Sequence, residues 1–407
     1  MALIASTPGL STNYMYSIDV ADYMAHAFTY ILNRQACQVQ PIAPEQYVND
    51  YERMYPGTMD PEFRKECLAI VCTLVRAFVS PVRMPWDAHA MRQRMAEARY
   101  RDRDDLLKQE FPSPFPTPTV IQTPRTIVDS EGRVLVWAIP GALSNKRQQQ
   151  IYKSARHLQN HFVQGCEGGR WRTDPQYFNN KLVGALRSGT LNLSPAWYSV
   201  GHRWAAASPL RSTPLFKNPN KSGLGPWTEE MRDAHAIVSG MLYIMHPELF
   251  ENAREVVNNI WDNLLGPRLA MWGLPFTAAS LMSNRASINH RDKGGWHTML
   301  DMLVTTGPYS RSYLTLPDLD ISVDYRPGTV VSLYGGLIRH GVGIMSEARL
   351  CNAYYFRDSV MARADVEYPD YMSQHFYSSY VPVRHQEHYL GGGLRAGEAG
   401  NSASDLR

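Results

Sequence analysis

Leu319-Asp-Ile-Ser-Val-Asp-Tyr325, followed at once by Arg326-Pro327-Gly328 and then by Thr329-Val-Val-Ser-Leu333, decides how the rest of this chain is read. The first run alternates apolar and polar residues without a break, the pattern of a half-buried strand. Proline and glycine turn the chain, and the second run reads as an apolar strand. Working outward, Gly335-Gly336 opens the next turn, and Arg349-Leu-Cys-Asn-Ala-Tyr-Tyr-Phe356 is a further β-rich run. From about Pro275 onward the pattern is therefore short strands separated by turns, which at this spacing predicts a sandwich or barrel.

Upstream the periodicity changes. Residues from Tyr16 to Glu110 read as helical, and the best-marked helix has Asp60 as N-cap, Pro61 in its first turn and Phe63, Leu68, Ile70, Val71, Leu74, Val75 and Phe78 as its apolar face. Met91 to Asp105 mixes arginines with acids and reads as an exposed, salt-bridged helix with no functional role. Phe111-Pro-Ser-Pro-Phe-Pro-Thr-Pro118 is a stiff extended connection, because no helix interior tolerates prolines at that density. Two more helices are expected, one opened by Thr228 and one by Pro247. The chain then divides into a helical N-terminal region (1–111), a basic elaboration (119–225), a β-rich core (226–390) and a loose tail rich in Gly, Ala and Ser (391–407). The fold class expected is α+β.

With 407 residues, 44% of them hydrophobic and 19% charged, the chain is globular rather than disordered. Its net charge of +3 is small, but the distribution is not even: residues 140–225 hold 12 basic and only 2 acidic side chains. Five scattered cysteines without a CxxC pair argue against a disulfide framework or a structural zinc module. No basic leader and no run of about 18 apolar residues is present, so no membrane association is expected. A monomer of the nucleus or nucleocytoplasm, without a protein partner, is the expectation.

The strand-rich part contains Asn289-His290-Arg291-Asp292. On extended backbone, residues two apart point the same way, so His290 and Asp292 can grip one metal ion from one face. His340 stands at the end of the turn after the Thr329–Leu333 strand. Two histidines and a carboxylate make a facial triad suited to non-haem Fe(II), with coordination positions left open. For His340 alone, a turn histidine bonded to a backbone carbonyl is the competing reading. Arg349, on the next strand, offers a planar fork that matches a carboxylate, and an internal partner such as Glu347 or Asp301 is its alternative.

The ordered series His290-x-Asp292, Tyr325-x-Pro-Gly-Thr-Val-Val331, His340-Gly-Val and Arg349 resembles the double-stranded β-helix (jelly-roll) core of 2-oxoglutarate/Fe(II) dioxygenases. More narrowly, His-Arg-Asp with Arg349-Leu-Cys-x-x-Tyr-Tyr is similar to the TET/JBP branch, and within it to mushroom-type fungal TET homologues. The resemblance spans about residues 275–360 and implies that His290, Asp292 and His340 hold Fe(II) while Arg349 pairs with the distal carboxylate of 2-oxoglutarate. It also places Cys351 where the family has a serine beside the cosubstrate. Asn284 lies an even six residues before His290, so along one strand it would share the metal-facing side and donate to the keto-acid end; an amide capping a strand end is the alternative. The cysteine-rich zinc region of animal TET proteins has no counterpart here. Behind His-Arg-Asp, where the family places a His-Asn pair for base contact, Lys293-Gly-Gly-Trp296-His297 intervenes here, and Trp296 and His297 are the candidate substrate contacts.

In the middle segment, cations are interleaved with aromatic rings, most compactly in Arg170-Trp171-Arg172 and His202-Arg203-Trp204. Cations that neutralise phosphates beside rings that stack on a base are what a nucleic-acid groove requires. An ordinary basic face with core aromatics is the alternative. The expected partner is DNA carrying methylated bases. The expected activity is oxidation of 5-methylcytosine to its hydroxymethyl, formyl and carboxyl forms, with oxidative demethylation of N6-methyladenine as a further possibility. A dioxygenase acting on a protein side chain or metabolite, or a non-catalytic DNA-binding module, are the competing classes.

Overall fold

The computed structural model describes residues 12–36, 44–54, 59–198, 210–260, 268, 271–292 and 295–378. The expected tail and the Arg203-Trp204 pair lie outside these residues. Among the described residues no helix is long and apolar enough to cross a membrane.

Thirteen strands are described: β1 (Val82–Arg83), β2 (Thr119–Ile121), β3 (Arg125–Val128), β4 (Val134–Ile139), β5 (Gly189–Leu193), β6 (Ala278–Ser283), β7 (Ser287–His290), β8 (Asp301–Thr306), β9 (Tyr313–Leu316), β10 (Ile321–Asp324), β11 (Val330–Leu333), β12 (His340–Val342) and β13 (Leu350–Tyr355). They form an eight-stranded sheet in the order β1-β3-β4-β11-β8-β13-β6-β5 and a five-stranded sheet in the order β2-β10-β9-β12-β7. Of strands β6 to β13, β6, β8, β11 and β13 fall in the larger sheet and β7, β9, β10 and β12 in the smaller, the wound arrangement of a double-stranded β-helix. The predicted alternating run is β10, where Ile321 and Val323 are buried and Ser322 and Asp324 are half-buried. The predicted apolar strand is β11, buried at every position.

The expected boundary at residue 225 is not a structural one. Four strands from 119–225 are built into the sheets: β2 pairs with β10, β3 with β4, β4 with β11, and β5 with β6. All six residues of β4 are buried, because helices cover one face of the sheet and the barrel interior lies on the other.

The helices are α1 (Thr12–Ala36), α2 (Pro44–Met54), α3 (Pro61–Phe78), α4 (Ala88–Ala96), α5 (Asp104–Glu110), α6 (Asn145–Ser154), α7 (Pro219–Ser222), α8 (Leu224–Glu230), α9 (Arg232–Met245), α10 (Pro247–Ile260) and α11 (Asp358–Arg363). The start of α3 is as expected: Asp60 accepts from the backbone N–H groups of Glu62 and Phe63 at 3.1 and 3.0 Å, a cap worth about 1 kcal/mol. Helix α9 is buried from Ala234 to Met245, mostly apolar but with His235 and Ser239 included, between α1 and the core. The close approach of α1 needs Gly240, where a Cβ would strike Met24. Buried Arg147 ties the layers together, donating to Glu66 at 2.7 Å and to Asp233 at 3.4 Å.

Two local expectations are corrected. Thr228 does not open a helix; it lies inside α8, where its hydroxyl donates to the Gly225 carbonyl at 2.8 Å, and α9 follows at once. Met91–Asp105 is not one helix, since α4 ends at Ala96 and α5 begins at Asp104.

Candidate metal centre

β7 and β12 pair antiparallel in a register that sets His290 directly opposite His340. Paired residues project to the same side of a sheet, and the two imidazole centroids lie 4.4 Å apart. Each ring is oriented by the carbonyl two residues earlier. Nδ1 of His290 is 2.8 Å from the Ile288 oxygen and Nδ1 of His340 is 3.2 Å from the Ile338 oxygen. With Nδ1–H donated there, each Nε2 presents its lone pair. Both Nε2 atoms stand 3.5 Å from Asp292, one at each carboxylate oxygen. The three ligand atoms fall within 4.8 Å of one another.

Asp292 is fixed by its backbone N–H, which donates to the Gly335 carbonyl at 2.8 Å. The β11–β12 turn passes so close that a Cβ at Gly335 would strike Asp301 and come within 3.0 Å of Asp292 Oδ2. Burial works against the Asp292 charge, but the two imidazoles when protonated and the Arg172 guanidinium outweigh it and hold the carboxyl below the usual range. At His340 burial prevails and lowers the imidazole, favouring the neutral form that ligates metal. The donor set fits a divalent metal with open coordination positions.

These residues line a cavity of about 550 Å³ that runs from the triad to Arg349. Arg349 is 3% exposed. Neither suggested internal partner reaches it: Glu347 accepts from Ser310, and Asp301 lies beside Asp292. Among the described residues Arg349 makes no ion pair. Its Nη2 donates to the Arg285 carbonyl and its Nε has no hydrogen-bond partner. A buried guanidinium left this way is unfavourable until an anion arrives, so this end of the cavity fits the carboxylate of a keto acid. Cys351 lines the cavity as parity predicts, with its thiol 3.4 Å from the Tyr325 hydroxyl and pushed up by burial.

Asn284, expected to face the cosubstrate, does not line the cavity. Its φ of +56° makes it a left-handed turn residue, which breaks the parity on which that expectation rests. Its Nδ2 donates to Leu186 and Ser188, and its Oδ1 accepts from the Arg349 backbone at 3.0 Å. It therefore fixes the strand that carries Arg349. Trp296 and His297 do not line the cavity. Trp296 stacks on Tyr368 at 4.8 Å and on His297 at 5.0 Å, and His297 Nδ1 meets the Tyr371 hydroxyl at 3.1 Å.

Arg170 and Arg172, expected on a separate nucleic-acid elaboration, stand at the metal centre itself. Both line the cavity, and Nη2 of Arg172 donates to Asp292 Oδ1 at 2.8 Å. Trp171 packs edge-on against His290 with centroids 4.6 Å apart, between the guanidinium groups of Arg172 and Arg285 at 4.6 and 5.3 Å. The sequence reading missed Arg285, buried in the cavity wall with its Nε unpartnered. No periodicity signals it, because the turn at Asn284 intervenes. It also missed Tyr355 and Arg357, which line the same cavity, although counting by twos from Arg349 reaches both. Arg357 lies over the rings of Trp197 and Tyr355 at 5.4 and 5.5 Å.

Comparison with known proteins adds the following. No curated protein matches the chain. Among solved structures, NgTET1 in complex with 5mC DNA is 13% identical over 68% of this chain and 92% of its own, with a TM-score of 0.42. A Trichoplax adhaerens prolyl hydroxylase in complex with a peptide of hypoxia inducible factor is 12% identical over 57% of this chain and 87% of its own, with a TM-score of 0.29. A cupin barrel protein from Salinispora arenicola is 17% identical over 22% of this chain and 69% of its own, with a TM-score of 0.17. The Tet_JBP family model, described as the oxygenase domain of the 2OGFeDO superfamily, matches residues 194–358. That span, similar to an oxygenase domain of the 2OGFeDO superfamily, holds the two histidines, the aspartate and the buried arginine, a set that fits Fe(II) and 2-oxoglutarate as cofactors.

Proposed function

We propose that this chain oxidises methyl groups on DNA bases, with 5-methylcytosine as first substrate. The observation that carries the reading is the seat of Arg170-Trp171-Arg172 on the metal centre. Two cations of the basic segment, Arg170 and Arg172, line the cavity, and the ring between them packs against a metal ligand, which supports contact with a polyanionic substrate there.

When bound, Fe(II) and 2-oxoglutarate supply the oxidation of a C–H bond by dioxygen. The chain's own residues do the holding. His290, Asp292 and His340 grip the ion, Arg349 beside Tyr325 anchors the distal carboxylate, and buried Arg285 adds a second positive charge to the same wall. A base inside a duplex cannot reach this cavity, so the nucleotide leaves the stack at a cost of about a few kcal/mol. On the open side it meets the Tyr355 ring and the polar groups of Asn192, Ser280 and Arg357. Arg170 and Arg172 then face the phosphates. Methyl oxidation on carbon gives hydroxymethyl, formyl and carboxyl products; on the N6 nitrogen of adenine it ends in loss of formaldehyde.

The test is succinate release with methylated and unmodified oligonucleotides, followed by mass spectrometry of the bases. Stimulation by the methylated strand alone supports base oxidation. Equal stimulation by both, or turnover of a protein or metabolite without DNA, removes it.

A further inference from the structure

Arg291 and Arg339 each adjoin a metal ligand and neither lines the cavity. Arg291 lies between His290 and Asp292, and Arg339 directly precedes His340. Side chains on extended backbone alternate, so with the histidines turned inward both arginines emerge on the outer side of the five-stranded sheet. There they meet the same two carboxylates. Arg291 donates from Nη2 to Asp318 Oδ2 at 2.7 Å and from Nη1 to Asp104 Oδ1. Arg339 donates from Nε to Asp318 Oδ1 at 2.8 Å and from Nη1 to Asp104 Oδ2 at 2.7 Å. The backbone N–H of Arg339 adds a bond to Asp318 Oδ2 at 2.9 Å, and Nε of Arg291 donates to the Leu337 carbonyl at 2.8 Å.

The cluster is closed: every oxygen of the two carboxylates is engaged and the charges cancel. Asp318 comes from the β9–β10 turn and its side chain is 5% exposed. Asp104 is the first residue of α5, in the helical region that lies outside the matched oxygenase segment.

We propose that Asp104 and Asp318 are positioning residues for the metal centre, acting through Arg291 and Arg339. By gripping both arginines at once they hold β7 and β12 in the register that sets His290 opposite His340, so the ligand atoms are arranged before the ion arrives. The same carboxylates neutralise two cations that would otherwise repel a divalent metal. Metal affinity therefore depends on α5, and the helical region is part of the oxygenase. The inference rests on the triad being the metal site.

The experiment uses the full chain, with Co(II) alone as the probe, read by its d–d absorbance, and thermal melting of the metal-free protein in parallel. Losing a partner that orients a ligand typically weakens metal binding about 10- to 100-fold. We expect Asp104→Asn to bind Co(II) about tenfold more weakly and Asp104→Glu to recover most of that loss. Glu110→Gln, on the same helix and bonded to Arg94 and Tyr100 instead, leaves affinity unchanged. Should Asp104→Asn not fold, Arg339→Lys takes its place, since it keeps the charge and loses the fork. Wild-type affinity in Asp104→Asn or its replacement, or an equal loss in Glu110→Gln, overturns the proposal. Undiminished binding in His290→Ala would instead overturn the triad, and this inference with it.

Discussion

Arg172 and Asp292 stand 120 residues apart in the chain, yet Nη2 of the arginine lies 2.8 Å from Oδ1 of the aspartate. That contact joins the basic segment to a ligand of the metal centre. The guanidinium shares the carboxylate oxygen on which a metal draws, and with 47% of its side chain exposed it is open to a phosphate as well. In the proposed function one residue thus faces both the ion and the polyanion.

Replacing Arg172 by Ala separates these roles. An exposed ion pair contributes about 0–1 kcal/mol, so the melting temperature changes little. Co(II) affinity does not fall, because the carboxylate loses a competitor. DNA affinity falls, and the slope of log Kd against log salt drops by about 1. An unaltered slope in a salt titration would remove Arg172 from the backbone contacts.

Arg349 leads to the opposite coupling of stability and binding. Its guanidinium is buried without a carboxylate, and replacing an uncompensated buried charge by a side chain of similar volume is often neutral or stabilising. Arg349→Met therefore melts no earlier than wild type without 2-oxoglutarate. Wild type gains stability with added 2-oxoglutarate by mass action, and the variant does not. A variant that melts well below wild type in the absence of cosubstrate, yet keeps the ligand-induced rise, would contradict the assignment.

Gly335 is required by its neighbours more than by its own backbone. An added Cβ would meet Asp301 and approach Asp292 Oδ2 to 3.0 Å, so Gly335→Ala pushes the ligand carboxylate or the turn aside. Weaker Co(II) binding by about an order of magnitude is expected, in the range seen when a ligand is mis-set. Gly343→Ala serves as the control, since nothing lies within 4 Å of its Cβ position. Equal Co(II) affinities for the two variants would refute the crowding argument.

What the sequence disclosed, and what it withheld, follows from how far each signal reaches along the chain. Strand β10 and the His290–Asp292 pair were legible because alternation is local and needs only one buried face. The Asp60 cap was legible for the same reason. Strand β4 was not, since Val134-Leu-Val-Trp-Ala-Ile139 is covered on both faces and a continuous apolar run carries no period. Asn284 misled because a single left-handed residue resets parity. The seat of Arg172 on Asp292 and the lack of a partner for Arg349 depend on segments distant in sequence, and no spacing rule reports them.

Acid sensitivity of the fold is the remaining prediction, and it comes from two histidines away from the metal. His235 lies between the rings of Trp227 and Tyr354, its Nε2 has no hydrogen-bond partner, and burial lowers its pKa to about 3. Burial likewise lowers His246 to about 4, although its Nε2 is 3.0 Å from the Asp370 carbonyl. In the unfolded chain both titrate near the ordinary value of about 6.5. Between these limits the unfolded state holds protons that the native state refuses, so stability is complete above about pH 6.5 and declines as the pH falls. Each histidine then removes about 1 kcal/mol per pH unit. Unfolding free energies from urea titrations at pH 7.5 and 5.5 should differ accordingly, and His235→Phe, which keeps a ring between Trp227 and Tyr354, should reduce the difference by about 1 kcal/mol. If the variant shows the full wild-type dependence, the burial of a neutral His235 is not its source.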